Sequence, residues 1–287
     1  MSFAKTIAVL MLSLMCLHCS SDADAGPNFP GSTENDFSLL FDGVDAFGSA
    51  GTVSATLGET IDEFSISLWF KAVGTPAADS MMLHLNPQLE SGTNSMQVRV
   101  YWETASRVAF HITPDFAGEP GATLFADVAD PQAWNSIVLT FDSQASSGNA
   151  KMYLNGEEVD SGVQGASLNA KGNIQFATSG SGANYFGGYL DEVAFWDTPL
   201  ASAEIKAVYN EGKPKNVRFD IPGYESADSV RSLWRMGDEN FSEEGNVSDL
   251  VGQNHFTITG GGSFERQTPQ LDTLRERKGR GPIDAPT

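Results

Sequence analysis

The fold is decided by the stretch Phe64-Ser65-Ile66-Ser67-Leu68-Trp69-Phe70, in which every second residue is a large apolar one. Successive side chains of a β-strand point to opposite faces, so this pattern predicts a strand with one buried face. Similar short runs follow, separated by Gly, Asn, Asp and Ser, as is typical of antiparallel strands. We predict these further strands at residues 96–102, 107–112, 134–141, 152–154, 174–177, 185–196 and 230–236. The pattern therefore predicts an all-β protein.

Two local signals refine this prediction. Asn155-Gly156 predicts a tight hairpin turn, because a type I′ turn needs positive φ at both central residues. Only Ser202–Asn210 has a helical pattern: Ser202 can cap its first turn, and Gly212 ends it. We expect this one short helix to plug an end of the sheet structure.

Composition excludes several classes of protein. The 287 residues include 17 Lys and Arg against 37 Asp and Glu, a formal charge of −20. Nucleic acids and anionic membranes attract basic proteins, so neither is expected as a partner. Both cysteines lie within the first twenty residues, which excludes a disulfide scaffold.

The N-terminus predicts export. Residues 1–25 combine Lys5 with an apolar run at 6–17 that is too short to span a bilayer. Two maturation sites compete: cleavage after Ala25, or lipidation at Cys19 as in bacterial lipoproteins, which we favour slightly. The protein would then be a lipoprotein at the cell surface or in the periplasm, or a plainly secreted one. We expect a single domain at 26–264 and a disordered polar tail at 265–287.

Six motifs together carry a family resemblance. They are SLLFDGVDAF (38–47), FSISLWFK (64–71), WNSIVLTFD (134–142), MYLNG (152–156), GYLDEVAFW (188–196) and PLASAEI (199–205). Their order resembles the laminin-G-like domains of the concanavalin A-like lectin/glucanase superfamily over roughly residues 36–212, and SLWRMGD (232–238) resembles a strand often attached to such domains. The resemblance implies a two-sheet antiparallel jelly-roll sandwich with a concave face. Members include carbohydrate-binding modules, adhesion domains and glycan-cleaving enzymes.

No catalytic residue is predicted. Glycan hydrolysis needs two carboxylates flanking the scissile bond, and the Glu-x-Asp-x-x-Glu string of the glucanase branch is missing. The pairs Asp191-Glu192 and Glu157-Glu158 are adjacent in sequence, so we expect their side chains on opposite faces of a strand. The arginine-rich pattern of the lyase branch is missing too.

The resemblance also implies one structural Ca²⁺. Related domains hold it with the Asp of a late strand, here Asp191, and with the first strand-turn, here Phe41-Asp42-Gly43. Asp42 or Asp45 would add side-chain oxygens, which suit Ca²⁺. In the alternative interpretation, these aspartates only accept backbone amides within their turns.

A ligand-binding face follows from the alternation. If apolar residues such as Val98, Val100, Val108 and Phe110 point inward, their neighbours point outward. On a shared concave sheet, the outward residues that would bind a ligand are Trp69, Arg99, Tyr101, Arg107 and His111. Aromatic rings stack on sugars, and arginines would favour an acidic glycan or another carboxylated ligand. The alternative is that Trp69 packs against a loop and the arginines pair with nearby acids.

These observations predict an exported carbohydrate-binding, lectin-like module. One alternative is a glycan-active hydrolase or lyase with an unrecognised site. The other is an adhesion module that binds protein. Order and spacing of the motifs specify the fold, but a fold of this kind hosts many functions.

Overall fold

A computed structural model describes residues 35–86, 96–114, 121–164, 167–180, 182–238 and 245–269. The predicted export signal, Cys19 and residues 270–287 of the predicted tail lie outside these ranges. The strands are β1 (Ser38–Asp42), β2 (Phe47–Thr52), β3 (Thr60–Ile61), β4 (Glu63–Ala72), β5 (Met81–Leu85), β6 (Gln97–Thr104), β7 (Arg107–Thr113), β8 (Ala122–Asp127), β9 (Asn135–Asp142), β10 (Ala150–Leu154), β11 (Glu157–Gly162), β12 (Leu168–Asn169), β13 (Asn173–Phe176), β14 (Gly187–Trp196), β15 (Val230–Trp234), β16 (Asn246–Val247), β17 (Phe256–Thr259) and β18 (Ser263–Glu265). The helices are α1 (Val53–Leu57) and α2 (Ser202–Tyr209).

Two antiparallel sheets form the molecule, as the fold prediction requires. Sheet A has the order β11-β10-β9-β4-β14-β1-β18, with β15 also paired to β14. Sheet B has the order β16-β17-β2-β13-β5-β6-β7-β8, and β3 and β12 form a separate two-stranded ribbon. Strands distant in the chain are therefore neighbours in both sheets.

The core lies between the two sheets. Every second residue of β4, from Phe64 to Phe70, is buried there, together with Val98 and Val100 of β6. The rings of Phe70 and Trp102 meet edge to face at 5.7 Å between centroids and join one sheet to the other. Removing this apolar surface from water is the main force that holds the sheets together.

The predicted hairpin is confirmed. Asn155 (φ 52°) and Gly156 (φ 84°) both have positive φ, and they connect β10 to β11. Asn155 also binds the neighbouring strand, because its side-chain oxygen accepts a hydrogen bond from the amide of Ser136 at 2.9 Å.

Helix α2 is found where it was predicted, but in a different role. Ile205 and Val208 pack on the outer face of sheet A, in a second apolar cluster with Trp196 and Tyr224, so the helix covers a face and does not plug an end. The expected cap is also wrong: Ser202 lies inside the helix and its hydroxyl contacts that of Tyr153 at 3.1 Å. The five-residue helix α1 was not predicted, because it is too short to show a periodic pattern.

The segment after α2 belongs to the same fold. Residues 213–230 continue over the outer face of sheet A, and β15, β17 and β18 then pair with β14, β2 and β1. The fold does not end at residue 264 as expected, since Glu265 pairs with Ser38 and the buried Thr268 hydroxyl donates to the carbonyl of Asn35 at 2.9 Å. Strands of two to four residues are too short for alternation to reveal them.

Close packing of β14 against β4 yields a stability prediction. A Cβ at Gly188 would collide with the backbone carbonyl of Lys71 on the paired strand. We expect Gly188→Ala to lower the free energy of unfolding by about 1–3 kcal/mol, measured by urea denaturation. The control is Gly187→Ala, one residue earlier in the same strand, where the nearest atom to the new Cβ is Gly43 Cα at an ordinary 3.5 Å. Equal stability of the two variants would contradict this account.

Candidate functional site

A row of polar side chains crosses the outer face of sheet B. The register aligns Gln175 of β13 with His84 of β5, His84 with Arg99 of β6, and Arg99 with His111 of β7. His111 in turn lies opposite Thr123 of β8. Because residues directly opposite each other share a face, one line of five polar residues spans five strands. We call this line the polar row.

Hydrogen bonds order part of the polar row. The His111 ring nitrogen Nδ1 lies 2.9 Å from the Thr123 hydroxyl, and His84 Nε2 lies 3.4 Å from the Gln97 amide nitrogen. Arg99 places its guanidinium 5.6 Å from the ring centre of Tyr101, at cation–π distance. These contacts fix side chains on a face that the core does not use.

Other polar atoms of the row are buried without a partner. Arg99 Nε and Gln175 Oε1 have no hydrogen-bond partner within the part of the chain that the structure describes. A buried polar atom without a partner costs roughly 1–3 kcal/mol, so such atoms usually meet a ligand or water. The polar row therefore offers both an unmet donor and an unmet acceptor.

Burial keeps the two histidines of the row neutral. Burial, followed by the nearby positive charge of Arg99, lowers the pKa of His84 to about 4. The pKa of His111 falls to about 4 for the same two reasons, in the same order. A neutral imidazole has one N–H donor and one acceptor nitrogen. At neutral pH the row thus holds a single full charge, that of Arg99, flanked by neutral hydrogen-bonding groups.

The structure brings four of the five predicted ligand residues together. Arg99, Tyr101, Arg107 and His111 lie on the outer face of sheet B, on the adjacent strands β6 and β7. The expectation that Trp69 shares this face is wrong, because β4 pairs with β9 and β14 and so belongs to sheet A.

Trp69 and Arg107 are occupied by contacts within the protein. Trp69 is 2% exposed and stacks on Tyr209 of α2, with ring centroids 5.6 Å apart. Arg107 donates two hydrogen bonds to Asp127, at 2.7 and 3.1 Å. The alternative interpretation of the sequence, packing for the tryptophan and pairing for an arginine, therefore describes these two residues.

His84 and Gln175 were missed from the sequence. All five residues of β5, Met81–Leu85, are buried, so the segment has no alternation from which to assign a face to His84. Gln175 lies in a four-residue strand. Only the pairing of β13 with β5, and of β5 with β6, reveals that both residues belong to the row that contains Arg99.

The four predicted calcium ligands do not come together. Asp42 pairs with Gly187 at one end of the β1–β14 ladder, whereas Asp191 follows the Leu39–Leu190 pair at the other end. Gly43, with φ 73°, turns the chain directly after Asp42. One carboxylate oxygen of Asp42 then accepts hydrogen bonds from the backbone amides of residues 44, 45 and 46. Asp45 accepts the Gly261 amide at 3.2 Å. The residues around this turn satisfy one another, which matches the alternative interpretation for Asp42.

Asp191 belongs instead to a buried carboxylate cluster. It lies with Glu192 and Asp238 around a single guanidinium, that of Arg235, and Arg235 donates to Glu192 at 2.8 Å. The Asn35 amide donates to both Asp191 (2.9 Å) and Glu192 (3.0 Å). All five residues are at most 5% exposed. Three carboxyl groups and one cation leave excess negative charge in the protein interior, which is costly unless it is neutralised.

Asp191 and Glu192 also correct an expectation about faces. Although they are adjacent, both carboxylates bind the same Asn35 nitrogen, so they lie side by side. The physical reason is a β-bulge: the register shifts between Asp191 and Ala194, and Glu192 has φ 44°. The pair is buried, so it does not line an open cleft.

Proton uptake is one way to neutralise this cluster. Burial, followed by the charge of Glu192, raises the pKa of Asp238 to about 7, and burial raises the pKa of Asp191 well above its usual value. The described residues contain no group of three or more acidic, His or Cys side chains arranged to hold a metal ion. The calcium site stays a prediction, and its ligands would differ from the four named above.

The pH dependence of stability shows whether a proton or a bound cation neutralises the carboxylate cluster. The folded protein keeps a proton on Asp238 up to about pH 7, whereas the unfolded chain releases it near pH 3.8. The free energy of unfolding should therefore fall as pH rises from 5 to 7, with Asp238 contributing at most about 1.4 kcal/mol per pH unit. We expect Asp238→Asn to flatten this slope in denaturation curves.

Asp127→Asn is the control, because the hydrogen bond from Arg107 lowers the pKa of Asp127 and moves its titration below this range. Stability that instead rises with pH and is lost on adding a calcium chelator would contradict protonation. That result would support calcium bound to the ionised carboxylates.

The fold and the polar row can now be compared with known proteins. The family model Laminin_G_3, described as the concanavalin A-like lectin/glucanases superfamily, matches residues 37–206, which is more than half of the chain. The protein therefore belongs to this family, as the sequence motifs predicted.

Solved structures share the fold at low sequence identity. A Bacteroides ovatus ATCC 8483 protein with a proposed carbohydrate-binding role has a TM-score of 0.57 at 13% identity, covering 81% of this chain and 60% of its own. A heptameric SAP-like pentraxin from Limulus polyphemus has a TM-score of 0.49 at 9% identity, covering 81% of this chain and 96% of its own. The CBM40 of a Ruminococcus gnavus IT-sialidase, bound to α2,3-sialyllactose, has a TM-score of 0.45 at 19% identity, covering 60% and 96%. The first likeness concerns the fold alone, and the other two add no argument.

Two further findings complete the comparison. No curated protein matches the sequence. Neither helix in the described ranges is long and apolar enough to cross a membrane.

Proposed function

We propose that the protein binds carbohydrate on the outer face of sheet B. The observation that carries this proposal is the polar row, which presents buried donors and acceptors without partners on a face outside the core. Membership of a family that includes lectins supports it. Sugar-binding sites need such convergent polar groups beside an apolar or aromatic surface.

The chemistry of the row suits sugar hydroxyl groups. One nitrogen of each neutral ring already contacts the protein, His111 Nδ1 at Thr123 and His84 Nε2 at Gln97, so each ring offers its other nitrogen, as donor or acceptor, to a sugar hydroxyl. Tyr101 is half-buried on the same face and supplies a ring on which the C–H face of a sugar can pack. The site thus combines orientation by hydrogen bonds with an aromatic contact.

Binding without cleavage fits the positions of the carboxylates. Asp191 and Glu192 are side by side but buried around Arg235, in sheet A, so they do not face a sugar on the outer face of sheet B. Their arrangement therefore gives no support to the alternative of a hydrolase.

A groove beside α2 is the competing site. It is lined by residues that include Asn155, Tyr209 and Ile221, and two of its four charged residues, Lys206 and Glu157, pair with each other at 2.5 Å. Both charged side chains are mostly exposed and already partnered. The polar row is the stronger candidate because its buried polar atoms still lack partners.

A glycan array tests the proposal. We expect binding to one or more oligosaccharides and, for Tyr101→Ala, a dissociation constant at least tenfold higher by isothermal titration calorimetry, because the variant loses the aromatic contact. Phe219→Ala is the matched control: Phe219 is 50% exposed and also lies under an arginine, Arg218, but far from sheet B in the segment that covers sheet A. No glycan binding, or new reducing ends after incubation with polysaccharides, would contradict the proposal.

We also propose that the chain is exported and lipid-anchored. The support is the sequence of residues 1–25, with an apolar run followed by Cys19. Radiolabelled palmitate should label the full chain expressed in bacteria, and Cys19→Ala should abolish the label. Cys16→Ala is the control, since Cys16 lies within the apolar run. Unlabelled protein processed after Ala25 would show plain secretion instead.

A further inference from the structure

We propose that the ligand of the polar row is an acidic sugar whose carboxylate binds Arg99. This inference rests on the proposed carbohydrate binding and adds the chemical class of the ligand. It starts from the charge balance around one guanidinium on an otherwise acidic protein.

Arg99 lacks the acidic partner that three other arginines of the folded body have, and unlike Arg266, which also lies over an aromatic ring, it is half-buried. Arg107 pairs with Asp127, Arg231 with Asp197, and the buried Arg235 with Glu192. Arg99 is half-buried, yet across the described ranges it has no carboxylate partner, only the ring of Tyr101. In a chain with 37 acidic residues, an arginine without an acid is a charge left available for a ligand.

The surroundings of Arg99 admit an anion. Its neighbours across the two adjacent strands are His84 and His111, both uncharged at neutral pH, so the row brings no negative charge to compete. Asp79 and Glu103 lie close enough to Tyr101, farther along the same strand, to raise its pKa. Within the row itself, an anion on Arg99 meets one positive charge and two neutral hydrogen-bonding rings.

The unmet atom favours a planar anion. Arg99 Nε is buried and has no acceptor among the residues that the structure describes, so the side edge of the guanidinium, Nε with one Nη, still lacks a pairing partner at Nε. A carboxylate matches this edge with two parallel hydrogen bonds, and such pairs are shorter and stronger than bonds between neutral groups. A sulfate ester can also present two oxygens to this edge, but its charge is spread over three oxygens, whereas a carboxylate holds the same charge on the two that pair. We therefore commit to the carboxylate.

The remaining groups of the row would recognise the sugar ring. His84, His111 and Gln175 lie on either side of Arg99 along a line across the strands. Their neutral donors and acceptors fit hydroxyl groups beside the carboxylate, and the unmet Gln175 Oε1 needs a donor such as a hydroxyl. One charged contact then fixes the acid and the neutral contacts fix the orientation.

Matched ligands test the inference. Calorimetry compares lactose with 3′-sialyllactose and lactose 3′-sulfate, and a galacturonic acid tetramer with its methyl ester, which keeps the ring but loses the charge. We expect at least one carboxylated sugar to bind tenfold or more tightly than its neutral counterpart, and more tightly than the sulfate.

Variants of Arg99 test the same preference. Arg99→Gln should remove this preference, and Arg99→Lys, which keeps the charge but not the two parallel donors of the guanidinium, should recover only part of it. Arg231→Gln, the loss of a paired surface arginine in sheet A, should leave it intact.

The outcomes separate the two proposals. Equal affinity for acidic and neutral sugars, or a preference that survives Arg99→Gln with an unchanged melting temperature, would overturn the inference and leave carbohydrate binding standing. Stronger binding of the sulfate than of the carboxylate would overturn the choice of carboxylate. Failure of every sugar on the array to bind would overturn the proposed function itself.

Discussion

Antiparallel pairing across β5, β6 and β7 controls what the outer face of sheet B presents. Val98 and Val100 must enter the core, because the apolar surface between the sheets is the main stabilising contribution. Because successive side chains of a strand point to opposite faces, Arg99, which lies between them, faces outward. The register then places a histidine on each side of it. A slip of one residue would move the whole polar row into the core, so the stability of the sandwich also fixes the geometry of the site.

Two arginines show how this protein handles charge. Arg235 is 1% exposed and lies among three carboxyl groups. Burial raises the pKa of Asp191 and of Asp238, so not every one of these acids is ionised. Arg99 has the opposite balance, since its neighbours in the row are uncharged. The first arginine is compensated within the protein by Glu192, and the Glu192 and Asp191 carboxylates also accept the Asn35 amide. The second is compensated only if something binds, which is why it dominates our proposal for the ligand.

The segment after α2 determines which face of the sandwich stays available. Its residues cover the outer face of sheet A together with α2, and Trp69 is buried there against Tyr209. Its later strands extend both sheets at β14, β2 and β1. The family match ends at residue 206, yet the fold continues through Thr268. Residues 207–238 and 245–268 are thus a structural part of the domain, and the first of these segments covers one of its two outer faces.

The sequence by itself determined the all-β class, the family, the Asn155-Gly156 hairpin, the position of α2 and the outward direction of Arg99 and His111. These features are local, because alternation, turn residues and helix caps act over a few neighbours. Only the tertiary structure decided which strands share a sheet, and so separated Trp69 from Arg99 and added His84 and Gln175 to the row. It also decided that Asp191 and Glu192 lie side by side, since one bulge cancels the alternation from which opposite faces were expected. Pairing between distant strands is set by the packing of the whole core, so the sequence of one strand does not indicate which other strand it pairs with.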